Sequence, residues 1–170
     1  MAEIVEDVLA SILWIQNNAS RLNGDPANLH LAGHSAGGHL ALIAAIARES
    51  DPLFNSDVLK SVLCVSGLFD LEPVTQSYLR EDLSFDEATI QDYSPLRRKD
   101  LKLSPPVTFA VGENETSEFL RQSLAMHESL KASGNKSVHL VLPGLNHFDI
   151  VYELGDPRGR IATAALEKIE

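Results

Sequence analysis

The sequence predicts an α/β layered fold, a parallel sheet of about four strands flanked by helices. Two observations predict it. Short apolar runs recur at residues 29–32, 62–65, 107–111 and 138–142. Between them lie segments whose apolar residues recur every three or four positions, the spacing of an amphipathic helix. Strands that alternate with helices are joined by right-handed crossovers, which lay the strands parallel in one sheet. Functional residues in such folds gather at the carboxyl ends of the strands.

Taken in order, Ile4, Val5, Val8, Leu9, Ile12, Leu13 and Ile15 mark an opening helix, stopped before the turn Asn23-Gly24-Asp25-Pro26. A strand follows at 29–32, then an Ala-, Leu- and Ile-rich helix over 36–47. The second strand, 62–65, leads into a long polar excursion from Phe69 to Pro106, with a short helix near 86–91 that Ser94-Pro95 ends. Pro106 introduces the third strand. Phe119, Leu120, Ser123, Leu124, His127 and Leu130 then form a helix face that Gly134 closes. After the fourth strand, Ile161, Ala165 and Ile169 mark a last helix beyond Asp156-Pro157.

At 170 residues the chain is one domain, long enough to bury a core. A net charge of -10 argues against a nucleic-acid partner, which would demand a basic patch. The one dense basic run, Arg97-Arg98-Lys99, meets Asp100 at once and reads as a solvated loop. The single cysteine, Cys64, sits in an apolar run with no base beside it, so a buried, inert thiol is expected. The opening residues MAEIVEDV lack the features of a signal peptide, and no apolar stretch approaches the roughly 20 residues that cross a bilayer. A soluble cytoplasmic protein is the expectation.

Residues 29–40 read LHLAGHSAGGHL. Within them, Gly33-His34-Ser35-Ala36-Gly37 is a G-x-S-x-G pattern between an expected strand and an expected helix. A serine hydroxyl becomes a useful nucleophile only when exposed beside a base. A sharp strand-to-helix turn supplies the exposure, and small neighbours let the strained backbone pass. The new helix also offers its first N–H groups, Ala36 in particular, to an oxyanion formed there. A dinucleotide loop would need G-x-G-x-x-G, and a phosphate-binding loop of the Walker type would need a lysine after the glycines. Neither is present.

The base has to be a histidine. His30, His34 and His39 lie around the serine in sequence, His127 on a helix and His139 within a strand. His147 stands in the loop Pro143-Gly144-Leu145-Asn146-His147-Phe148, directly after a strand end. Its position suits the chain order serine, acid, histidine of serine hydrolases built on such sheets. The acid belongs between them, just past a strand end, where it can orient the imidazole. Glu113, Glu115 and Asp70 all meet that description, and position alone does not separate them. No histidine pair is joined by an acidic third ligand at metal-binding spacing, and such a triad needs no organic cofactor.

The stretches DPANLHLAGHSAGGHLA, SGLFDLEPV, VGENETSEFLRQS and PGLNHFDIV together resemble the arylformamidase (kynurenine formamidase) branch of the α/β-hydrolase superfamily, among the esterase and lipase relatives of hormone-sensitive lipase. The resemblance implies a serine hydrolase of small amides or esters, with Ser35 as nucleophile and His147 as base. Glu115 becomes the acid, because in such enzymes it falls three residues after the glycine ending its strand, where relatives often carry aspartate. An arylformamidase-like activity on a substrate of the N-formylkynurenine type is implied, with carboxylester hydrolysis as the alternative. The family has further strands before the helix that opens this chain, and a His-Gly-Gly loop there donates oxyanion N–H groups. Nothing upstream of Ser35 is similar. The expectation is therefore a partial α/β-hydrolase domain lacking the N-terminal strands. The Ser35 strand would lie at an exposed edge, which offers a route to a homodimer. The same departure raises a second expectation, a weakly active or inactive chain without a complete oxyanion hole.

Overall fold

The computed structural model describes residues 1–49, 56–81, 83 and 85–166. Helix α1 (Ala2–Asn18) turns Val5 and Ile12, two helical turns apart, into the core. Asn23, in the left-handed region at φ +59°, ends the turn that follows. Strand β1 (Leu29–His34), helix α2 (Ala36–Glu49) and strand β2 (Leu59–Val65) come next. Helix α3 (Glu87–Tyr93) opens on Asp86, whose Oδ1 accepts the Thr89 N–H at 2.8 Å. Strand β3 (Val107–Gly112), helix α4 (Ser117–Ala132), strand β4 (Ser137–Leu142) and helices α5 (Ile150–Gly155) and α6 (Arg160–Leu166) complete the order.

The four strands form one sheet in the order β1-β2-β3-β4, every pair parallel. Successive side chains on a strand point to opposite faces, and the packing divides accordingly. Val62 and Cys64 of β2, with Val107 and Phe109 of β3, meet Leu42 and Ala45 of α2 and Met126 and Leu130 of α4. Leu63, Val65 and Ala110 meet Leu142, Ile150 and Ile161 on the other face. Covered on both sides, β2 and β3 read as nearly continuous apolar runs. β1 and β4 lie at the edges and are only half-buried. Helix α1 also leaves Trp14 and Ile15 exposed.

The expected elements are present, with longer bounds. β1 continues through Gly33 to His34, so the strand runs up to Ser35 itself. Gly134, at φ +82°, closes α4 by donating to the Lys131 carbonyl at 2.9 Å. Helix α5 is an addition. Asn146 Oδ1 accepts the N–H groups of Phe148 and Asp149 just before it, and Ile150 is buried. Of the last helix, residues 160–166 are helical, and Ile169 lies outside the described residues. The basic run also differs from a solvated loop. Arg97 pairs with Asp70, Glu72 and Glu87, tying the excursion together. No helix among the described residues is long and apolar enough to cross a membrane.

Candidate active site

Ser35 stands between β1 and α2 with φ +57°. The left-handed region costs a non-glycine residue about 1–2 kcal/mol, so surrounding structure must hold it. Its N–H donates to the Val65 carbonyl at 2.9 Å, and its own carbonyl accepts from Gly38 at 3.0 Å and His39 at 3.2 Å. Close packing makes the turn possible: a Cβ on Gly33 would lie 2.1 Å from the Gly37 carbonyl oxygen. Gly37 is different, since a Cβ there would meet nothing within 4 Å. Ala36 begins α2, so its N–H has no acceptor within the helix.

The turn delivers Ser35 Oγ to within 3.0 Å of His147 Nε2. On the far side of that ring, Nδ1 lies 2.8 Å from Glu115 Oε2. A carboxylate only accepts, so Nδ1 carries the proton and the Nε2 lone pair faces the serine hydroxyl. Glu115 has a fully buried side chain, yet its other oxygen accepts from Ser66 Oγ at 2.5 Å and from the Gly112 N–H at 2.8 Å. The remaining acids point elsewhere. Glu113 accepts the Gly144 N–H at 2.9 Å, and Asp70 accepts Arg97 Nε at 3.2 Å. Among the three candidates, Glu115 alone reaches His147.

The other histidines also find separate places. His30 bonds Ser61 and Asn28, while His127 bonds Ser137 and stacks on His139 with ring centres 5.7 Å apart. His39 is buried, with Nδ1 donating to the Leu68 carbonyl at 2.7 Å. Its Nε2 has no hydrogen-bond partner among the described residues, and burial pushes its pKa below the ordinary value. Burial raises the Cys64 thiol strongly, as expected for an inert core cysteine.

Beside Ser35 opens a hollow of about 230 Å³, walled by Ile4, Leu40, Leu68, Leu71, Val74 and Phe85. Part of this wall belongs to the excursion after β2. Buried Gln122 anchors that segment, its Oε1 accepting from Phe69 at 2.5 Å and Asp70 at 2.7 Å. Sequence reasoning missed Ser66 and Gln122, and it used Gly112 only as the landmark that ends β3, not as a donor to Glu115. The signals for Ser66 and Gln122 were a Ser-Gly step just past β2 and a polar residue on the inner face of α4.

Residues 2–150 match the family model described as the alpha/beta hydrolase fold. The kynurenine formamidase of Danio rerio is 30% identical over 170 residues, covering 98% of this chain and 56% of its own length. An isoprenylcysteine alpha-carbonyl methylesterase of Arabidopsis thaliana is 25% identical, covering 92% of this chain and 41% of its own. The structure of a hyperthermophilic esterase from Pyrobaculum calidifontis superposes with a TM-score of 0.79 at 19% identity. That superposition covers 97% of this chain and 60% of the other. The chain thus spans about half the length of the relatives it matches.

Proposed function

The chain belongs to the α/β-hydrolase family, and from that premise we propose that it hydrolyses a small amide or ester through nucleophilic attack by Ser35. The observation that carries the reading is the unbroken hydrogen-bond chain from Ser35 through His147 to buried Glu115. Ser35 Oγ bonds to the carbonyl carbon as its proton passes to His147 Nε2. Glu115 keeps the imidazole in the working tautomer and stabilises the imidazolium. The oxyanion turns toward the Ala36 N–H. His147 then gives its proton to the leaving nitrogen or oxygen, the C–N or C–O bond breaks, and an acyl group remains on Ser35. Water that His147 deprotonates releases the acid and restores the serine.

The substrate we propose is a formyl anilide, of the kind that N-formylkynurenine exemplifies. A formyl group needs little room, and the apolar hollow suits an aromatic ring. The kynurenine formamidase relative supports this choice. Carboxylester hydrolysis is the second reading, favoured by the same hollow and by the methylesterase relative. Turnover of formanilide against short p-nitrophenyl esters ranks the two. Comparable kcat/KM for both supports the formamidase reading, and ester turnover faster by orders of magnitude overturns it. Among the described residues Ala36 is the oxyanion donor the turn offers, and a site working with that donor alone is a third reading, a weakly active chain. Lacking one donor costs about 10²–10³ in rate. A chain that reacts with a fluorophosphonate yet turns over neither substrate would establish it. The half-buried edge of β1 also supports pairing with a second copy of the chain, and a monomer at all concentrations in sedimentation would remove that proposal.

A further inference from the structure

A base carried on a loop must be held within about 3 Å of its nucleophile to act, and loops are mobile by default. His34, the residue immediately before Ser35, answers that need. Its Nε2 lies 2.9 Å from the backbone carbonyl oxygen of His147. A carbonyl only accepts, so Nε2 is the protonated nitrogen of His34. The same ring packs on the His147 imidazole, with centres 4.6 Å apart and planes tilted by 42°. Phe119 supplies a second ring at 4.5 Å. His147 is thus held at both ring nitrogens, at its carbonyl and by two neighbouring rings.

We propose that His34 is a positioning residue that fixes His147 against Ser35 through its Nε2–H···O=C bond and its ring contact. The proposal rests on the reading of Ser35 and His147 as nucleophile and base. Its logic is geometric. His34 and Ser35 are consecutive at the end of β1, so one short piece of backbone carries both the nucleophile and the handle on the base. A displacement of that strand end moves the two together. A neutral His34 also suits catalysis, because a second positive ring would oppose the imidazolium that forms during attack. Burial favours that state, pushing His34 below its ordinary value, and the neighbouring His147 acts in the same direction. The carbonyl bond and Glu115 oppose it.

Three variants separate the parts: His34→Gln keeps an N–H donor, His34→Phe keeps a ring, and His34→Ala keeps neither. With a p-nitrophenyl ester, His34→Ala should lower kcat by about 10²-fold, the scale set by a misplacement of about 1 Å, with KM little changed. His34→Gln should recover part of the loss. In a His147→Ala background, His34→Ala should cost nothing further, since its effect passes through His147. An equal fold-loss in both backgrounds would overturn the proposal. A second arm needs no turnover. In Ser35→Ala chains, the downfield proton NMR resonance of His147 Nδ1–H, held by Glu115, should be sharp with His34 and broadened or lost with His34→Phe. A resonance indifferent to His34 would overturn the proposal even in a chain that hydrolyses nothing. A wild-type chain that neither turns over an ester nor reacts with a fluorophosphonate, yet shows this dependence, would sink the hydrolase reading and leave only the hold of His34 on His147. Should His34→Ala fail to fold, the Gln and Phe variants decide.

Discussion

Glu115 shows how much the site depends on single groups. A buried carboxylate is costly unless its oxygens are hydrogen-bonded, and here Ser66, Gly112 and His147 supply donors to both. Replacing it with an amide removes an acceptor and the charge that offsets the imidazolium. In Glu115→Gln, kcat should therefore fall by about 10⁴, as when the acid of such a triad becomes an amide, with the far-ultraviolet circular dichroism unchanged. Steady-state kinetics on a p-nitrophenyl ester check this, and a loss confined to KM would point to a binding role instead. Ser35 was legible because its signal is local: five residues encode the turn, its exposure and the helix behind it. The acid was not. Choosing Glu115 over Glu113 or Asp70 depends on side-chain reach and on Arg97 occupying Asp70, neither of which a linear pattern displays.

The elements meet at close backbone approaches that can be tested one by one. Gly112 ends β3 directly under the loop that carries His147, and a Cβ there would lie 2.3 Å from the Leu145 carbonyl oxygen. Backbone cannot yield as a flexible side chain does, so Gly112→Ala should push the loop outward and lower kcat. Gly37→Ala offers the contrast, since its Cβ would meet nothing and the position is helical. That variant should hold or raise stability by about 0.4–1 kcal/mol, by restricting the unfolded chain. Urea midpoints of the two, measured together, would contradict this account if Gly37→Ala were the more damaging. The same reasoning says why some elements were easier to read. β2 and β3 are buried on both faces and so appear as apolar runs. β1 ends in Gly33-His34, which ladder bonds to β2 but which composition hides. Helix α5 has six residues, too few for a period, and follows from Asn146 rather than from any pattern.

Across the whole molecule, histidine burial links stability to pH. His30, His34, His39, His127 and His139 all lie below the ordinary value near 6.5, each chiefly through burial. A group depressed in the folded state binds its proton more readily once unfolded. Unfolding free energy should thus be level between about pH 7 and 8 and fall as pH drops below about 6.5, until the folded-state values are passed. His39, only 2% exposed, should dominate, with a slope of at most about 1.4 kcal/mol per pH unit; solvent screening weakens the partly exposed others. Urea titrations from pH 8 to 5, with His39→Asn expected to flatten the curve, check the sign. At the centre of the account is one arrangement, a serine in the left-handed region at the end of β1 facing a loop histidine and a buried acid. Mass spectrometry of the intact chain after fluorophosphonate treatment tests it most directly. One adduct per chain, carried by the Ser35 peptide, absent from Ser35→Ala and slowed in His147→Ala, is the outcome expected. No adduct, or one that persists in Ser35→Ala, would contradict the assignment of Ser35 as the nucleophile.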